Sequence, residues 1–251
     1  MGKERALVLC GGEGKRLRPI TFYLQKTMIP IGKNQRPLLE YTTRLLHYHG
    51  LKDVTFLVNY KANQIKNYFE DGKRFDVKIS FIHDCEDMRG TGGSVINAYK
   101  KKGFSDDDVL LVYYGDILTT LNLRKLIRFH NEKDAVATVA LASGFTVRVG
   151  LADLDSESRI SGFTEKPQLE KPVSVGVLVL KGDVLRDAAE TMMGSSIDLM
   201  GEIVPNLIRI GQPVYGFVFQ DFWYDVGSIE AYEKLDNQRL ESSMSFLFQG
   251  D

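Results

Sequence analysis

Three glycines in four positions, Gly11, Gly12 and Gly14, follow the apolar run Ala6-Leu7-Val8-Leu9. That run reads as a buried first strand, and the glycines after it leave no side chains between the backbone and whatever sits above. Successive N–H groups in such a turn form a concavity for an anion. Lys15, Arg16 and Arg18 bring positive charge to the same place. A glycine turn armed with cations suits a polyphosphate, although a tight turn would also use glycine for its positive φ alone. Two common phosphate motifs do not fit. The dinucleotide fingerprint needs a third glycine where Leu17 stands, and the P-loop needs Ser or Thr where Arg16 follows Gly14-Lys15. Farther along, Asp116 follows Gly115 at the end of the apolar run that starts at Val109. A carboxylate so placed is a good ligand for Mg2+, which takes one or two carboxylates together with phosphate oxygens and water.

The string Gly11-Gly12-Glu13-Gly14-Lys15-Arg16-Leu17-Arg18-Pro19 resembles the Gly-Gly-x-Gly-x-Arg-Leu-x-Pro signature of the sugar-1-phosphate nucleotidyltransferases. The resemblance continues, in family order, through Lys26-Thr27-Met28-Ile29-Pro30, Pro37-Leu38-Leu39-Glu40-Tyr41, Gly90-Thr91-Gly92-Gly93-Ser94 and Gly115-Asp116. Glu165-Lys166-Pro167, Val175-Gly176-Val177 and Trp223-Tyr224-Asp225-Val226-Gly227 complete it. It implies an α/β fold: a Rossmann-like three-layer α/β/α sandwich with a mostly parallel mixed sheet and a β-rich sugar-binding lobe. It implies one catalytic domain over residues 1–251, its nucleotide part about 1–135 and its sugar-phosphate part about 136–240. Some relatives carry a C-terminal left-handed β-helix, for which the chain is expected to end too early.

The implied reaction joins a nucleoside triphosphate to a sugar 1-phosphate and releases pyrophosphate. A sugar phosphate oxygen attacks the α-phosphorus in line, so positioning and charge neutralisation matter more than a protein nucleophile. Carried over residue by residue, Arg16 falls on the triphosphate and Lys26 at the α-phosphate, with Asp116 and Asp225 sharing Mg2+. Gly11, Gly12, Gly14, Gly90 and Thr91 line the nucleotide pocket. Lys166 holds the sugar phosphate, Glu165 the sugar hydroxyls, and Gly176 and Val177 lie beside the sugar. The sequence departs from the family in three places. Gln25 and Thr27 stand where relatives have prolines around the lysine, which predicts a looser backbone. Ser174 stands where relatives often have Asn. Thr91-Gly92-Gly93 is nearer to relatives acting on mannose- or heptose-type phosphates, which leans toward GTP; TTP or UTP with glucose 1-phosphate is the alternative. Related enzymes that form dimers or tetramers make a homo-oligomer an expectation.

Two other classes compete. A glycosyltransferase would use a D-x-D metal motif, spelled twice here, at Asp106-Asp107-Asp108 and Asp153-Leu154-Asp155. The first reads as a solvated acidic turn. A regulatory subunit would bind nucleotide sugar without turnover, but such relatives often lose a lysine or a metal aspartate, and here Arg16, Lys26, Asp116, Lys166 and Asp225 are all present. The histidines suggest no chemistry: His47 and His49 are two apart on a predicted helix and read as surface residues, and His83 and His130 lack partners in the sequence.

The elements that must position these residues alternate. Short Val/Ile/Leu/Phe runs at 6–9, 54–58, 77–82, 109–113 and 135–141 are separated by helical stretches at 37–49, 62–69, 93–102 and 123–131. This alternation argues for a mostly parallel sheet covered on both faces, whose ligands bind beyond the carboxyl ends of the strands. The second part is richer in strands, predicted at 150–154, 159–164, 173–180 and 214–219, with helices at 203–210 and 229–240. The 251 residues are 43% hydrophobic and 26% charged, ordinary for a globular protein. A net charge of −1 gives no field favouring nucleic acid or an anionic membrane. Two cysteines without a ligand spacing, no leader and no long apolar stretch place the expectation in the cytoplasm.

Overall fold

Strand β1 (Glu4–Cys10) alternates its side chains between two cores, with Ala6, Val8 and Cys10 on one face of the sheet and Leu7 on the other. This period of two, with both sides apolar, fits a strand buried on both faces. The computed structural model describes residues 2–147, 149–192 and 196–249. After β1 come β2 (Pro30–Ile31), β3 (Arg36–Pro37), α1 (Leu38–Tyr48), β4 (Asp53–Val58), α2 (Ala62–Phe69), β5 (Lys78–His83) and α3 (Gly90–Lys102). Next are β6 (Val109–Tyr114), β7 (Ile117–Thr119), α4 (Leu123–Glu132), β8 (Ala137–Ala142), β9 (Leu151–Leu154), β10 (Ile160–Thr164) and β11 (Val173–Lys181). The last elements are α5 (Gly182–Thr191), α6 (Val204–Arg209), β12 (Val214–Phe219), β13 (Trp223–Asp225), α7 (Ile229–Glu233) and α8 (Asn237–Met244).

Seven strands form one sheet in the order β12-β8-β11-β6-β1-β4-β5. Only β11 runs antiparallel to its neighbours, so the sheet is mixed and mostly parallel, as the alternation of runs and helices predicts. Apolar side chains of α1, α2 and α4 cover one face, and those of α3, α5 and α6 the other. The β-rich second half contributes β8, β11 and β12 to this same sheet, while β9 and β10 pair as a separate hairpin. The tail, read in the sequence over 242–251, packs back through Phe246 and Phe248. These rings meet Tyr48 and Tyr41 on α1 at centroid distances of 4.8 and 5.1 Å; residues 250 and 251 lie outside the described part.

Several sequence expectations are corrected. The predicted helix over 229–240 is two helices, because Asp236 caps a new start by accepting from the N–H groups of Gln238 and Arg239. Helix α5 was not visible: its apolar set, Val184, Leu185 and Ala188, is short and begins at a glycine. Asp108 is not a solvated turn residue. It is buried, accepting from Lys3 N (2.8 Å), Arg5 Nε (3.0 Å) and Ser105 N (3.2 Å). His49 and His130 are also buried, and His130 Nδ1 lies 2.9 Å from Thr138 Oγ1.

Burial, with Arg124 nearby, pushes the His49 imidazole down to about 4, and burial with Lys181 does the same to His130. Both are therefore neutral in the fold, whereas an unfolded chain protonates them below about 6.5. Their contribution is present in full above pH ~6.5 and is lost as the pH falls toward ~4, on the order of 3 kcal/mol each at most. The midpoint of chemical unfolding should fall over that window. A His49→Gln/His130→Gln chain should show a shallower pH dependence there, and an unchanged slope would mean the two rings do not carry it.

Candidate active site

The parallel pairing of β1 with β6 ends at Leu9 opposite Tyr114, and Gly115 N donates to Leu9 O at 3.0 Å. Two loops therefore leave the sheet side by side, one carrying Gly11–Gly14 and the other Asp116. Gly14 takes the left-handed conformation (φ 64°) that opens a short turn over Lys15–Leu17. A side chain there would be strained and would meet Thr21 Cγ2 at 2.9 Å. A Cβ on Gly11 would stand 2.2 Å from Asp84 Oδ2, so the loop can lie on that carboxylate only as glycine. Above Gly12 nothing stands within 4 Å of where a Cβ would be. A cavity of about 370 Å³ opens over this loop, and its wall includes Gly11, Gly12, Lys26, Gly90, Thr91 and Asp116.

Lys26 contacts Asp116 directly, its ammonium against Oδ2, and both side chains are largely buried. The looser backbone predicted around Lys26 is not found. Gln25 and Thr27 are buried and bonded to each other and to the end of β1. Asp116 and Asp225, far apart in sequence, are united by a short antiparallel pair. Asp225 stands opposite Ile117, and Val226 N donates to Asp116 O at 3.0 Å. Arg16 reaches the same place: Asp225 Oδ1 and Arg16 Nη2 lie 2.8 and 3.0 Å from the point where a Cβ would stand on Gly227. Arg16, Asp116, Gly176 and Asp225 line a second cavity of about 940 Å³. Tyr114 and Asp116 belong to the walls of both cavities.

The remaining predicted residues divide. Gly90 and Thr91 open α3, three residues before the predicted start, and the Thr91 hydroxyl donates to Asp198 Oδ2 at 3.0 Å and accepts from Leu199 N at 2.8 Å. Gly176 and Ser174 are in the wall of the larger cavity, whereas Val177, one step along β11, is fully buried in the core. Glu165 and Lys166 are in neither wall. They follow the β9–β10 hairpin, 3.8 Å apart and mostly exposed.

Sequence reasoning names neither Asp84 nor Asp198, and it gives Trp223 no role beyond its place in a motif. Asp84 is in the wall of the smaller cavity, and its Oδ1 is buried with no hydrogen-bond partner among the described residues. Burial raises its carboxyl above the usual range, and the Ser94 hydroxyl opposes the shift. Only its place at the end of a predicted strand could have flagged it. Trp223 stacks on Phe145 in the wall of the larger cavity (centroids 6.0 Å apart).

Among the described residues, no group of three or more His, Cys, Asp or Glu side chains gathers as a metal cage. Asp116, in the turn before β7, and Asp225, at the end of β13, offer hard carboxylate oxygens. That set fits Mg2+, which is bound by one or two carboxylates and completed by phosphates and water. A divalent ion there would compete with Lys26 for Asp116.

The sequence model of the nucleotidyl transferase family matches residues 5–242. The chain belongs to that family. Among curated relatives, a UTP–glucose-1-phosphate uridylyltransferase of Synechocystis is 31% identical over 242 residues, 91% of this chain and 61% of that protein. A glucose-1-phosphate adenylyltransferase of Pseudothermotoga lettingae is 30% identical, over 92% of this chain and 59% of that one. A mannose-1-phosphate guanylyltransferase of Mycobacterium tuberculosis is 29% identical, over 90% and 62%. The chain thus spans about three fifths of the length of these curated relatives. The fold is shared with a crystal structure from Bacillus anthracis, assigned as a glucose-1-phosphate thymidylyltransferase and in complex with a sucrose. That match has a TM-score of 0.73 and 19% identity, and covers 95% of this chain and 94% of that one. No helix among the described residues is long and apolar enough to cross a membrane.

The loop geometry separates two glycines of this chain. Gly12→Ala faces open space and should leave stability within about 0.5 kcal/mol. Gly11→Ala must displace the Asp84 carboxylate and should cost about 1–3 kcal/mol. Urea titration of the two variants checks this, and equal losses would mean that the loop does not rest on Asp84.

Proposed function

We propose that this chain is a sugar-1-phosphate nucleotidyltransferase that converts a nucleoside triphosphate and a sugar 1-phosphate to a nucleoside diphosphate sugar and pyrophosphate. The observation that carries the reading is Asp116, paired with Lys26, at the border of two cavities. In this reading the smaller cavity, over the glycine loop, takes the nucleotide, and the larger, bordered by Gly176, takes the sugar phosphate. A phosphate oxygen of the sugar phosphate forms a new bond to the α-phosphorus. The bond from that phosphorus to the bridging oxygen breaks, and pyrophosphate leaves.

Gly11 and Gly12 take the triphosphate and Lys26 meets the α-phosphate; Arg16, in the wall of the larger cavity, and Gly14, in neither wall, serve the triphosphate only where it extends past the smaller cavity. A preorganised donor aimed at developing charge is typically worth ~10²–10³ in rate. Asp116 and Asp225 would hold Mg2+, which when bound would neutralise phosphate charge and fix phosphate oxygens. Gly176 borders the sugar. Glu165 and Lys166 serve the sugar hydroxyls and the sugar phosphate, which requires the segment after β10 to approach the larger cavity. The glycosyltransferase alternative loses support, because Asp108 is committed to Arg5 and Lys3 and Asp155 caps its own hairpin turn.

For the base we favour GTP, with a mannose- or heptose-type 1-phosphate as the partner. That lean rests on Thr91-Gly92-Gly93. Asp84, in the wall of the smaller cavity, offers a base donor such as guanine N1–H an acceptor only after the carboxylate, whose Oδ1 is buried, turns outward. Asp84→Asn exchanges an anionic acceptor for an amide. It should cost GTP about 1.5–3 kcal/mol of binding, tenfold or more in KM, and shrink any preference over UTP. An unchanged preference removes Asp84 from base selection.

The activity is tested by pyrophosphate release in Mg2+ across the nucleoside triphosphates and a panel of sugar 1-phosphates. Release that needs one member of each set is the expected result. Asp116→Asn should keep the fold and lose most turnover, on the order of 10²-fold or more. Normal turnover by that variant would remove Asp116 from the chemistry.

A further inference from the structure

Lys26 reaches Asp116 at the end of a long, flexible side chain, so the place of its ammonium depends on where its backbone is held. Nothing covalent fixes that backbone. Lys26 opens a single short turn, Lys26–Met28, outside the large sheet and against α1. The side chain of the residue before it ties this turn to the end of β1. Gln25 is completely buried, and both ends of its amide are hydrogen-bonded. Nε2 donates to the carbonyl of Cys10, the last residue of β1, at 2.5 Å. Oε1 accepts both from Thr27 N and from Thr27 Oγ1, each at 2.6 Å. The backbone N–H of Gln25 donates to Gln64 Oε1 on α2 at 2.7 Å. Thr27 is 2% exposed, and its methyl stands 3.1 Å from the point where a Cβ would be on Gly115, the residue before Asp116.

One amide therefore ties three parts of the site together. It grips the end of the strand that launches the glycine loop, and it grips the turn that carries Lys26. Through Thr27 it presses that turn against the loop that carries Asp116. Lys26 sits between the two bonded residues and takes no part in the bridge.

We infer that Gln25, with Thr27, is a positioning residue that acts through Lys26, fixing the ammonium where charge develops on the α-phosphate. This rests on the function proposed above. A displacement of about 1 Å at a reacting group costs up to ~10²-fold in rate, so loosening the bridge lowers kcat while leaving the sugar phosphate KM near its original value.

The test is a double-mutant cycle. Gln25→Met keeps the length and burial of the side chain and removes every hydrogen bond of the amide. Lys26→Ala removes the group it is held to act through. Gln25→Met is expected to lower kcat by about 10- to 100-fold in the parent. In the Lys26→Ala background it is expected to add less than about threefold, the coupling that contact within one unit produces. Equal losses in both backgrounds would mean a purely structural role, and no loss in the parent would mean no role; either overturns the inference. If Gln25→Met does not fold, Thr27→Val removes one hydroxyl from the same bridge and is read in the same cycle, with the same two overturning results. A parent chain that turns over no pair of substrates counts against the proposed function alone. The cycle is then read on the dissociation constant of inorganic triphosphate: coupling between residues 25 and 26 supports the inference, and additivity, or affinity independent of Lys26, overturns it.

Discussion

The site depends on one backbone register, the parallel pairing of β1 with β6 that ends at Leu9 and Tyr114. Two central strands that stop together leave two loops starting together, and these loops carry the glycines and Asp116. Buried backbone groups at such an end must find partners other than a sheet neighbour. Here the carbonyls are taken by the protein itself. Cys10 O accepts from Gln25 Nε2, Gly11 O from Tyr60 N at 3.2 Å, and Gly14 O from Leu17 N at 2.8 Å and Thr21 Oγ1 at 2.9 Å. With these three acceptors occupied, the loop suits an anion above it. The same register explains why Asp225 can join. Strand β7 begins one residue after Asp116, and β13 pairs with β7 rather than with the large sheet.

The charges around that junction come as opposites. Lys26 lies on Asp116, and Arg16 and Asp225 flank the same point beside Gly227. Lys26 and Asp116 are largely buried, and either left alone there would cost several kcal/mol, so each supplies the other's counter-charge, whereas Arg16 and Asp225 are exposed to solvent. An incoming phosphate must separate Lys26 from Asp116, and it offers the ammonium a replacement only while something else neutralises the carboxylate. Anion and divalent cation are thus coupled by electrostatics: each lowers the cost of admitting the other. A site of four cations would have bound phosphate more tightly, but it would have been harder to fold and to empty.

Much of this was legible in the sequence. The first five sheet strands and four helices were readable from apolar runs of the right period, because both faces of the central strands are buried and the pattern is unbroken. The glycine loop and Asp116 were readable because their chemistry is local. What was not legible depends on distant contacts. His49 reads as a surface residue from its spacing to His47, yet Arg124 covers it from α4. Asp108 sits in a run of three aspartates, and only the return of Lys3 and Arg5 on β1 makes it the buried one. Asp84 carries no motif. Its significance comes from the close approach of Gly11, and that approach is a property of backbone, not of side chains. Val177 and Gly176 show the limit of motif transfer. Val173 to Gly176, on the irregular start of β11, border the cavity, and from Val177 to Leu180 the strand runs buried in the core.

The least legible part is the polar layer beneath the glycine loop. Periodicity treats Gln25, Thr27, Thr21 and Gln64 as loop or surface residues, and alone each would be costly to bury. Together they satisfy one another. Gln64 accepts from Gln25 N and donates to Tyr23 O at 2.7 Å, and the Tyr60 hydroxyl donates to Thr21 O at 2.8 Å. The net worth of each such bond is about 1 kcal/mol, but leaving one partner buried and unmatched costs about 1–3 kcal/mol. That asymmetry makes the layer close to all-or-none: it is stable when complete and penalised at every partial stage. A loop that must present backbone to a polyphosphate cannot be held by side chains from above, where the ligand goes. It has to be held from below, and a hydrogen-bonded polar layer fixes direction as well as distance, which apolar packing alone does not.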